Sequence, residues 1–377
     1  MKKNETRALR FSITPGKSRR WKIFSLAALG FGLSLSLSCF SPTDTGAQPR
    51  KPLTISELVT YGGADREQML FAGAKTEGKV TWYTSLAGDS YKAMVKAFEA
   101  KYPGVKVEVY RASGSELTTR MIEEGKAKRH IVDTVETTEA NLMFMRDLFL
   151  IRPYHSPHLA SYPADAKAKG ERGLYFWGIA RESYIGFAYH KKLLPQNAVP
   201  KNFDGLLRPE LKGRMGLSIS DPSYKVIGAL VKTKGVEFVK KLKAQEITLH
   251  TIIPPALLDL IASGEVLASP GIFRNHTLNA IAKGAPVEWV PMDIVPTNVG
   301  GAAIAAQPPH PQAALLLADY LLGQEGQALL EKYQYGSASK NFPFKRWRPE
   351  HGSTTEKYEK ELEQWEKLLK QISRKGG

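Results

Sequence analysis

Two short polar loops carry the side chains best suited to hold a small polar molecule. Thr84 and Ser85 follow one predicted strand, and Ser113-Gly114-Ser115 follows the next strand along the chain. Each loop leads into a predicted helix, where free backbone N–H groups and the helix dipole favour an anion or a polar oxygen. Ordinary helix capping is the alternative interpretation, and Ser113 to Glu116 does show the capping-box pattern. The loops therefore predict capture of a small polar molecule without saying which one.

A strand–helix–strand unit positions these loops. Apolar residues alternate with polar ones in a first strand from Val80 and in a second strand from Val105. Between the strands, apolar residues recur at helical spacing from Tyr91 to Tyr102, and Pro103-Gly104 ends the helix. Two parallel strands joined in this way bind ligands beyond their carboxyl ends. The two polar loops lie at those ends.

Enzyme chemistry is not indicated by the sequence. It contains no Gly-x-Ser-x-Gly elbow, no His-Glu-x-x-His zinc motif and no phosphate-binding loop of the Walker type. His155 and His158 lie close together, but their proline-bounded loop offers no third ligand nearby, which favours plain surface over a metal site. We therefore predict that the protein is not an enzyme, with no catalytic residues, no cofactor and no metal site.

The first 47 residues have the pattern of an export signal. Eight basic residues precede an uncharged run from Ile23 to Phe40. That run is short and diluted by serine, which disfavours a stable membrane span of ~20 residues. Arg19 and Arg20 form a partial twin-arginine pattern, but Lys22 stands where an apolar residue is preferred. The chain is therefore predicted to reach the periplasm.

Two processing routes remain open for this leader. Thr45-Gly46-Ala47 presents the small residues that a signal peptidase reads, with cleavage before Gln48. Alternatively, Leu35-Ser-Leu-Ser-Cys39 is similar to a bacterial lipobox and would anchor the protein to the membrane through Cys39. Cys39 is the only cysteine of the chain, so the body that follows the leader can form no disulfide and no thiolate metal site.

The charge of the chain is modestly basic outside the leader. The formal net charge is +16, of which the eight basic and two acidic residues of the leader supply +6. The remaining basic residues are spread along the chain, whereas nucleic-acid binders show a basic stripe with interleaved aromatic residues. We therefore predict no nucleic-acid partner. An exported protein that favours anionic ligands fits this composition.

Predicted strands and helices alternate through the body of the chain, which indicates an α/β fold with mostly parallel sheets. Residues 177–189 are interpreted as two strands around a turn, and Thr297-Asn298 as part of a loop between strands. The tail from Thr354 to Ser373 places its large apolar side chains on one helical face. It is predicted to be a helix docked on the body.

Several ordered segments resemble the extracellular solute-binding proteins of ABC importers. The resemblance is to the type 2 periplasmic binding group, which includes ferric-iron, polyamine, thiamine and phosphonate binders. It covers roughly residues 75–345, nearly the whole body. The matching segments are KVTWYTSL, AFEAKYPGVKVEVY, ASGSELTTRM, GFAYHKKLLP, residues 200–211, GRMGLSISDP, SGEVLA, KGAPVEW and HPQAALLLADYLLGQEGQALL.

The resemblance implies a two-lobed periplasmic-binding-protein fold. Each lobe would be a mostly parallel sheet flanked by helices, and two crossover strands would form the hinge. The implied organisation is a leader (1–47), lobe 1 (48–180), lobe 2 (181–292), a return to lobe 1 (293–350) and a C-terminal amphipathic helix (351–377). The protein would be a monomer that closes over a small-molecule solute and delivers it to an ABC permease in the membrane.

The resemblance also implies which residues face the cleft between the lobes. These residues follow strand ends in both lobes or lie at the return crossover. The candidate ligand-binding residues are Ser85, Ser115, Thr138, Glu139, Ser223, Tyr224, Arg274, Asn275, His276, Thr297 and Asn298. Asp221, beside Ser223, is interpreted as a helix cap.

The segment from Gly271 to Thr277 is the most informative about the ligand. Iron binders of the group carry two adjacent tyrosines in this loop, where Asn275 and His276 stand here. Fe(III) prefers anionic oxygen ligands, so iron is disfavoured. Arg274 offers a planar fork for a carboxylate or phosphate. An anionic organic solute is therefore the first prediction.

A cationic polyamine is the second candidate solute. It would need cleft carboxylates, for which Glu136, Glu139 and Asp221 are the candidates, and aromatic walls. Tyr83, Trp177 and Tyr184 are the aromatic residues that could form such walls. An Fe(III) binder of the same fold and a ligand-sensing subunit for a membrane receptor also remain open.

Overall fold

A computed structural model describes residues 53–338, 340 and 342–375. The predicted leader, both of its processing sites and Cys39 lie outside these described residues. Within them, no helix combines the length and the apolar character needed to cross a membrane.

Helices and strands alternate along the described chain. The helices are α1 (Ile55–Thr60), α2 (Arg66–Glu77), α3 (Ser90–Lys101), α4 (Gly114–Lys126), α5 (Glu139–Asp147), α6 (Asp221–Lys234), α7 (Val236–Lys241), α8 (Pro254–Ser263), α9 (Arg274–Ala282), α10 (Pro311–Leu322), α11 (Gln324–Lys332) and α12 (Thr355–Ile372). The strands are β1 (Lys79–Thr84), β2 (Lys106–Arg111), β3 (Thr134–Thr138), β4 (Ile151–Arg152), β5 (Lys167–Lys169), β6 (Tyr175–His190), β7 (Gly216–Ser218), β8 (Ile247–His250), β9 (Ala268–Phe273), β10 (Val287–Val290), β11 (Val295–Ala305), β12 (Arg346–Trp347) and β13 (Ser373–Lys375).

Parallel strands form the base of each half of the molecule. In the first half, β1 lies between β2 and β3 and is parallel to both, and α3 connects β1 to β2. In the second half, β7, β8 and β13 form a parallel three-stranded sheet. The predicted strand–helix–strand unit is confirmed. So is the capping box of α4, in which Ser113 and Glu116 bond each other's backbone N–H groups.

Two long antiparallel strands join the halves. The 16-residue strand β6 pairs with the 11-residue strand β11 from Tyr184↔Thr297 to Gly178↔Ala302, with a bulge at Gly300/Gly301. The sheet also connects β11 to β3 on one side and β6 to β9 and β10 on the other. These strands are the two predicted crossover strands.

The prediction of two strands around a turn at residues 177–189 is wrong, because β6 is continuous. The glycines of β6 make room for neighbouring side chains and do not form a turn. A Cβ atom on Gly178 would lie 2.3 Å from the Leu159 side chain, and one on Gly186 would lie 2.4 Å from the Trp289 ring. The predicted loop at Thr297-Asn298 is also wrong, since both residues belong to β11. Both strands are buried on both faces, so the alternation that reveals a half-buried strand is lost.

Each half has its own hydrophobic core. The first core contains Trp82 and Phe98, and the second contains Phe203 and Trp365. Strand β6 contributes Trp177 and Ile179 to the first core and Ile185 and Phe187 to the second. Strand β6 therefore contributes to both cores, and two cores joined by shared strands are the two-lobed architecture that the sequence predicts. We call the halves lobe 1 and lobe 2.

The C-terminal helix packs on lobe 2. Tyr358, Trp365, Leu369 and Ile372 are the buried residues of α12, and all four belong to the second core. Gly228 of α6 makes room for this contact, because a Cβ atom there would lie 2.7 Å from the Trp365 ring. After the helix, β13 adds a strand to the lobe 2 sheet. The predicted docking of the tail is confirmed.

Candidate functional site

A cavity of about 410 Å³ lies where the two lobes meet. Its lining combines the first turns of helices with residues from a crossover strand and from the C-terminal segment. The lining residues are Gly114, Ser115, Thr138, Ala140, Asn141, Phe144, Asp221, Pro222, Pro254, Phe273, Asn298, Glu350 and Leu362. A cavity of this size suits a small organic molecule.

The amino-terminal turns of five helices meet at this cavity. They belong to α4 and α5 in lobe 1 and to α6, α8 and α9 in lobe 2. The turn of α4 is capped by Ser113, whereas α5, α6, α8 and α9 have no side-chain hydrogen bond at their N-cap residues. A helix amino terminus carries about half a positive charge. The arrangement therefore favours negative charge inside the cavity.

Close packing between α4 and α5 fixes the lobe 1 side. A Cβ atom on Gly114 would lie 2.3 Å from Nδ2 of Asn141 and 2.8 Å from Oγ1 of Thr137. Asn141 also accepts a hydrogen bond from Thr118 (3.1 Å) and donates one to Thr138 (2.6 Å). Only glycine at position 114 lets the two helix starts approach each other this closely.

A buried lysine joins the lobe 2 side to the crossover strand and to the C-terminal segment. Nζ of Lys225 lies 2.5 Å from Oε1 of Glu350, 3.2 Å from Oδ2 of Asp221 and 3.2 Å from Oδ1 of Asn298. Burial lowers the pKa of Lys225, but Asp221 and Glu350 outweigh it, so the pKa is raised overall. The charge of Lys225 is thus held by protein carboxylates.

Glu139, the first residue of α5, is a buried carboxyl group beside this cluster. Its Oε1 accepts a hydrogen bond from the Trp177 indole (3.3 Å), whereas Oε2 has no partner within the described residues. Burial, reinforced by the neighbouring charge of Glu350, raises the pKa of Glu139 to about 7. The group therefore exchanges its proton near neutral pH.

This pKa predicts a pH dependence of stability. The folded protein holds a proton on Glu139 between pH 4.5 and about 7, where the unfolded chain has lost it. The stabilisation is therefore complete below pH 4.5 and is lost as the pH rises through about 7. Replacing Glu139 with glutamine should flatten this decline, which is at most about 1.4 kcal/mol per pH unit. Urea unfolding of both proteins from pH 5 to pH 8 measures the difference.

The exposed Glu363 on α12 provides the control for this prediction. Glu363→Gln removes the same charge but should leave the pH profile of the wild-type protein in place. Parallel profiles for the wild-type protein and Glu139→Gln would contradict the raised pKa.

A second buried charge pair lies between the carboxyl ends of β1 and β3. Arg181 of β6 donates a hydrogen bond to Oε1 of Glu136 (2.8 Å) and another to Oγ of Ser85 (3.0 Å). Burial, together with the charge of Arg181, lowers the pKa of His276 to about 4. His276 is therefore neutral at pH 7, and its ring lies 5.2 Å from that of Phe273.

The structure places the predicted site residues in four groups. Ser115, Thr138 and Asn298 line the cavity. Thr137 and three candidates carry buried polar atoms that have no hydrogen-bond partner among the described residues. Those candidates are Glu139, Asn275 and His276. Ser85 accepts the Arg181 hydrogen bond, and Arg274 is half-buried at the start of α9, outside the cavity lining.

The three predicted residues of the fourth group also lie outside the cavity lining. Ser223 is fully buried, with its hydroxyl 3.4 Å from that of Ser218. Tyr224 packs against the lobe 2 core, and burial together with the nearby Glu366 of α12 raises its pKa. Thr297 donates a hydrogen bond to the carbonyl of Val295 within its own strand. The sequence places all three near the cleft but does not show on which side of the backbone each one lies.

Further interpretations of cleft residues are corrected. Asp221 does not cap α6, since Ser220 occupies the N-cap position and Asp221 pairs with Lys225 inside the first turn. Tyr83, Trp177 and Tyr184 do not form aromatic walls, because all three are buried and none lines the cavity. The segment Gly271–Phe273 is not loop but the end of β9, and α9 begins at Arg274.

Sequence reasoning missed the most buried charges of the site. Lys225 could have been noticed four residues after Asp221, at the spacing of an ion pair on one helical face. Glu350 gave no such signal, because its partner Lys225 lies 125 residues away. Phe144 and Leu362 are apolar residues of predicted helices and carry no sign that they face a cavity.

The chain belongs to the family of bacterial extracellular solute-binding proteins, whose profile matches residues 93–347. The resemblance predicted from the sequence is thereby confirmed. This is a family of binding proteins rather than of enzymes, and its extracellular location implies that the chain is exported. The protein is therefore a solute-binding protein.

Individual relatives share the fold. An Fe(3+)-binding periplasmic protein of Serratia marcescens is 24% identical over 298 residues, which cover 74% of this chain and 84% of the relative. The substrate-binding protein of an ABC transporter from Agrobacterium tumefaciens has a TM-score of 0.65 at 14% identity, covering 77% of this chain and 94% of that one. The periplasmic binding protein AfuA from Actinobacillus pleuropneumoniae, solved with fructose 6-phosphate bound, has a TM-score of 0.62 at 22% identity. The match covers 78% of this chain and 99% of that one.

Proposed function

We propose that this protein is the solute-binding component of an ABC importer and captures a small anionic organic solute in the cavity between its lobes. The observation that carries the proposal is the meeting of five helix amino termini at that cavity, four of them without a side-chain cap. Backbone N–H groups at such termini bind carboxylate, phosphate or phosphonate oxygens. An ABC permease in the membrane would recognise the closed, loaded form.

The charge balance of the cavity supports an anion. Asp221 and Glu350 face it, and Lys225 compensates one of these two carboxylates. Helices α5, α6 and α9 retain backbone N–H groups in their uncapped first turns, whereas α8 begins with Pro254 and Pro255, which have none. These termini offset the carboxylate that Lys225 leaves uncompensated. The neighbour solved with fructose 6-phosphate shows that this fold accommodates an organic phosphate.

Fe(III) is the second candidate solute, favoured by the Serratia marcescens relative. In the part of the chain that the structure describes, no group of three or more His, Cys, Asp or Glu side chains could hold a metal ion. Among the described residues, no tyrosine lines the cavity. The donor set of the cavity therefore suits hydrogen bonds to an organic anion better than direct coordination of iron.

Substituting Asn141 tests the sign of the solute charge. Asn141→Asp adds one negative charge to the cavity at nearly constant volume, in a helical turn that accepts acidic residues. A charge about 6 Å from a bound anion costs about 1–3 kcal/mol, which is roughly a tenfold loss of affinity or more. Calorimetric titration of the protein with fructose 6-phosphate, phosphonates, sulfonates, carboxylates, spermidine and ferric citrate measures the effect.

Asn279→Asp is the matched control, because Asn279 is an exposed residue of α9 and does not line the cavity. It should leave every affinity unchanged within about twofold. Binding of spermidine alone or of iron alone, strengthened by Asn141→Asp, would overturn the proposal of an anionic solute.

The same closing cleft would serve a sensor that reports its ligand to a membrane receptor. A neighbouring gene for a permease with an ATPase supports import, whereas a neighbouring histidine kinase supports sensing.

A further inference from the structure

The C-terminal segment from Arg348 to Lys375 follows the residues matched by the family profile and joins both lobes beside the cavity. Arg348 pairs with Asp165 in lobe 1, and Thr355 donates a hydrogen bond to Asp147 at the end of α5. Glu350, between them, pairs with Lys225 of lobe 2. Helix α12 then fixes the segment to α6. The segment therefore forms a wall of the cavity.

Glu350 presents an unused acceptor at this wall. Its Oε1 accepts hydrogen bonds from Lys225 (2.5 Å) and from the Tyr358 hydroxyl (3.2 Å). Its Oε2 has no partner in the described ranges, although the residue is only 2% exposed and lines the cavity. A buried carboxylate oxygen without a donor has lost its hydration and has no hydrogen bond to offset that loss.

Other buried groups among the described residues also lack partners, including the donor Nη1 of Arg348. Oε2 of Glu139 and Oδ1 of Asn275 are also buried without a partner among the described residues. Glu139 lies near Glu350, and the charge of Glu350 adds to burial in raising the pKa of Glu139. Helix termini offer donors to an anion on one side of the cavity, while Glu350 offers an acceptor at its wall. A ligand that satisfies both carries an anionic group and a separate hydrogen-bond donor.

We propose that Glu350 is a specificity-determining residue whose free carboxylate oxygen accepts a hydrogen bond from a hydroxyl or ammonium group of the anionic solute. This inference rests on the proposed binding of an anion in the same cavity. It assigns solute recognition to a residue outside the part of the chain that the family profile matches. Anions without such a donor bind less tightly, because they leave Oε2 unpaired.

Matched pairs of probes test the inference. 2-Aminoethylphosphonate is compared with propylphosphonate, which replaces the ammonium group by a methyl group, and fructose 6-phosphate is compared with inorganic phosphate. The wild-type protein should prefer the donor-bearing member of at least one pair by about tenfold or more. Glu350→Met should reduce that preference to less than about threefold, while the affinity for the member without the separate donor should rise, because one negative charge leaves the cavity.

Two further variants separate recognition from folding. Lys225→Met/Glu350→Met removes the ion pair as a unit, which buried pairs tolerate better than the loss of one partner. It should lose the preference as Glu350→Met does. Tyr358→Phe removes a hydrogen bond to Oε1 but leaves Oε2 in place, and it should keep the preference.

Each outcome decides a different point. Equal preference in the wild-type protein and the double variant, or loss of preference in Tyr358→Phe, would overturn the role of Glu350 and leave anion binding intact. Equal affinity of the wild-type protein for both members of each pair would have the same meaning. Failure of all four anions to bind the wild-type protein would overturn the proposed function, and the role of Glu350 with it.

Discussion

Replacing Lys225 with methionine should lower the free energy of unfolding by about 3–5 kcal/mol. Lys225 is fully buried, and its ammonium group holds Glu350, which is also buried. Methionine fills a similar volume but leaves the carboxylate without its charge partner. Removing one member of a buried pair is costly because the other charge stays in a medium of low polarity. Urea unfolding at pH 7 measures the change.

The double variant Lys225→Met/Glu350→Met should regain most of this loss, since a buried pair can often be replaced by apolar residues of similar volume. Lys240→Met, at an exposed lysine of α7, is the control and should change stability little. A loss for Lys225→Met as small as that of the control would contradict the buried pair.

Replacing Trp365 with alanine should cost about 3–5 kcal/mol of stability. Trp365 is only 5% exposed, and its ring lies 5.8 Å from that of Trp347 and 6.2 Å from that of Tyr358. It also packs against Gly228 of α6, so the substitution opens a cavity between α12 and lobe 2. Because α12 fixes the segment that carries Glu350, solute affinity should fall as well. Denaturation and calorimetric titration measure the two effects.

Lys367→Ala, at an exposed position of the same helix, is the control, because it shortens a side chain of α12 without removing a core residue. It should change neither stability nor affinity by a measurable amount. Equal stabilities of Trp365→Ala and Lys367→Ala would show that α12 does not pack on lobe 2 in solution.

The elements that the sequence predicts well are those whose signals are local. The alternation in β2, the capping box at Ser113 and the apolar face of α12 each lie within one element. Their burial follows from a periodicity of two or 3.6 residues, so no knowledge of the rest of the chain is needed. The ordered family segments then supply the two-lobed arrangement.

The features that the sequence hides depend on contacts between distant segments. Strand β6 passes through two cores and is buried on both faces, so its glycines look like turn residues when the neighbours Leu159 and Trp289 are unknown. The site shows the same limit. Ser115 and Thr138 are predictable because they follow strand ends, whereas the inward position of Glu350 depends on Lys225.

The pairing of β6 with β11 determines which movements of the lobes are mechanically easy. Their ladder from Tyr184↔Thr297 to Gly178↔Ala302 couples the strands along their length. Sliding one strand past the other would break all the hydrogen bonds between them and turn buried side chains outward, so this movement has a high free-energy cost. Bending both strands together out of the sheet plane keeps the hydrogen bonds between them. The bulge at Gly300/Gly301 interrupts the regular pairing, so we expect the bend to occur there. The connection therefore permits bending of the two strands out of the sheet plane and resists sliding of one strand along the other.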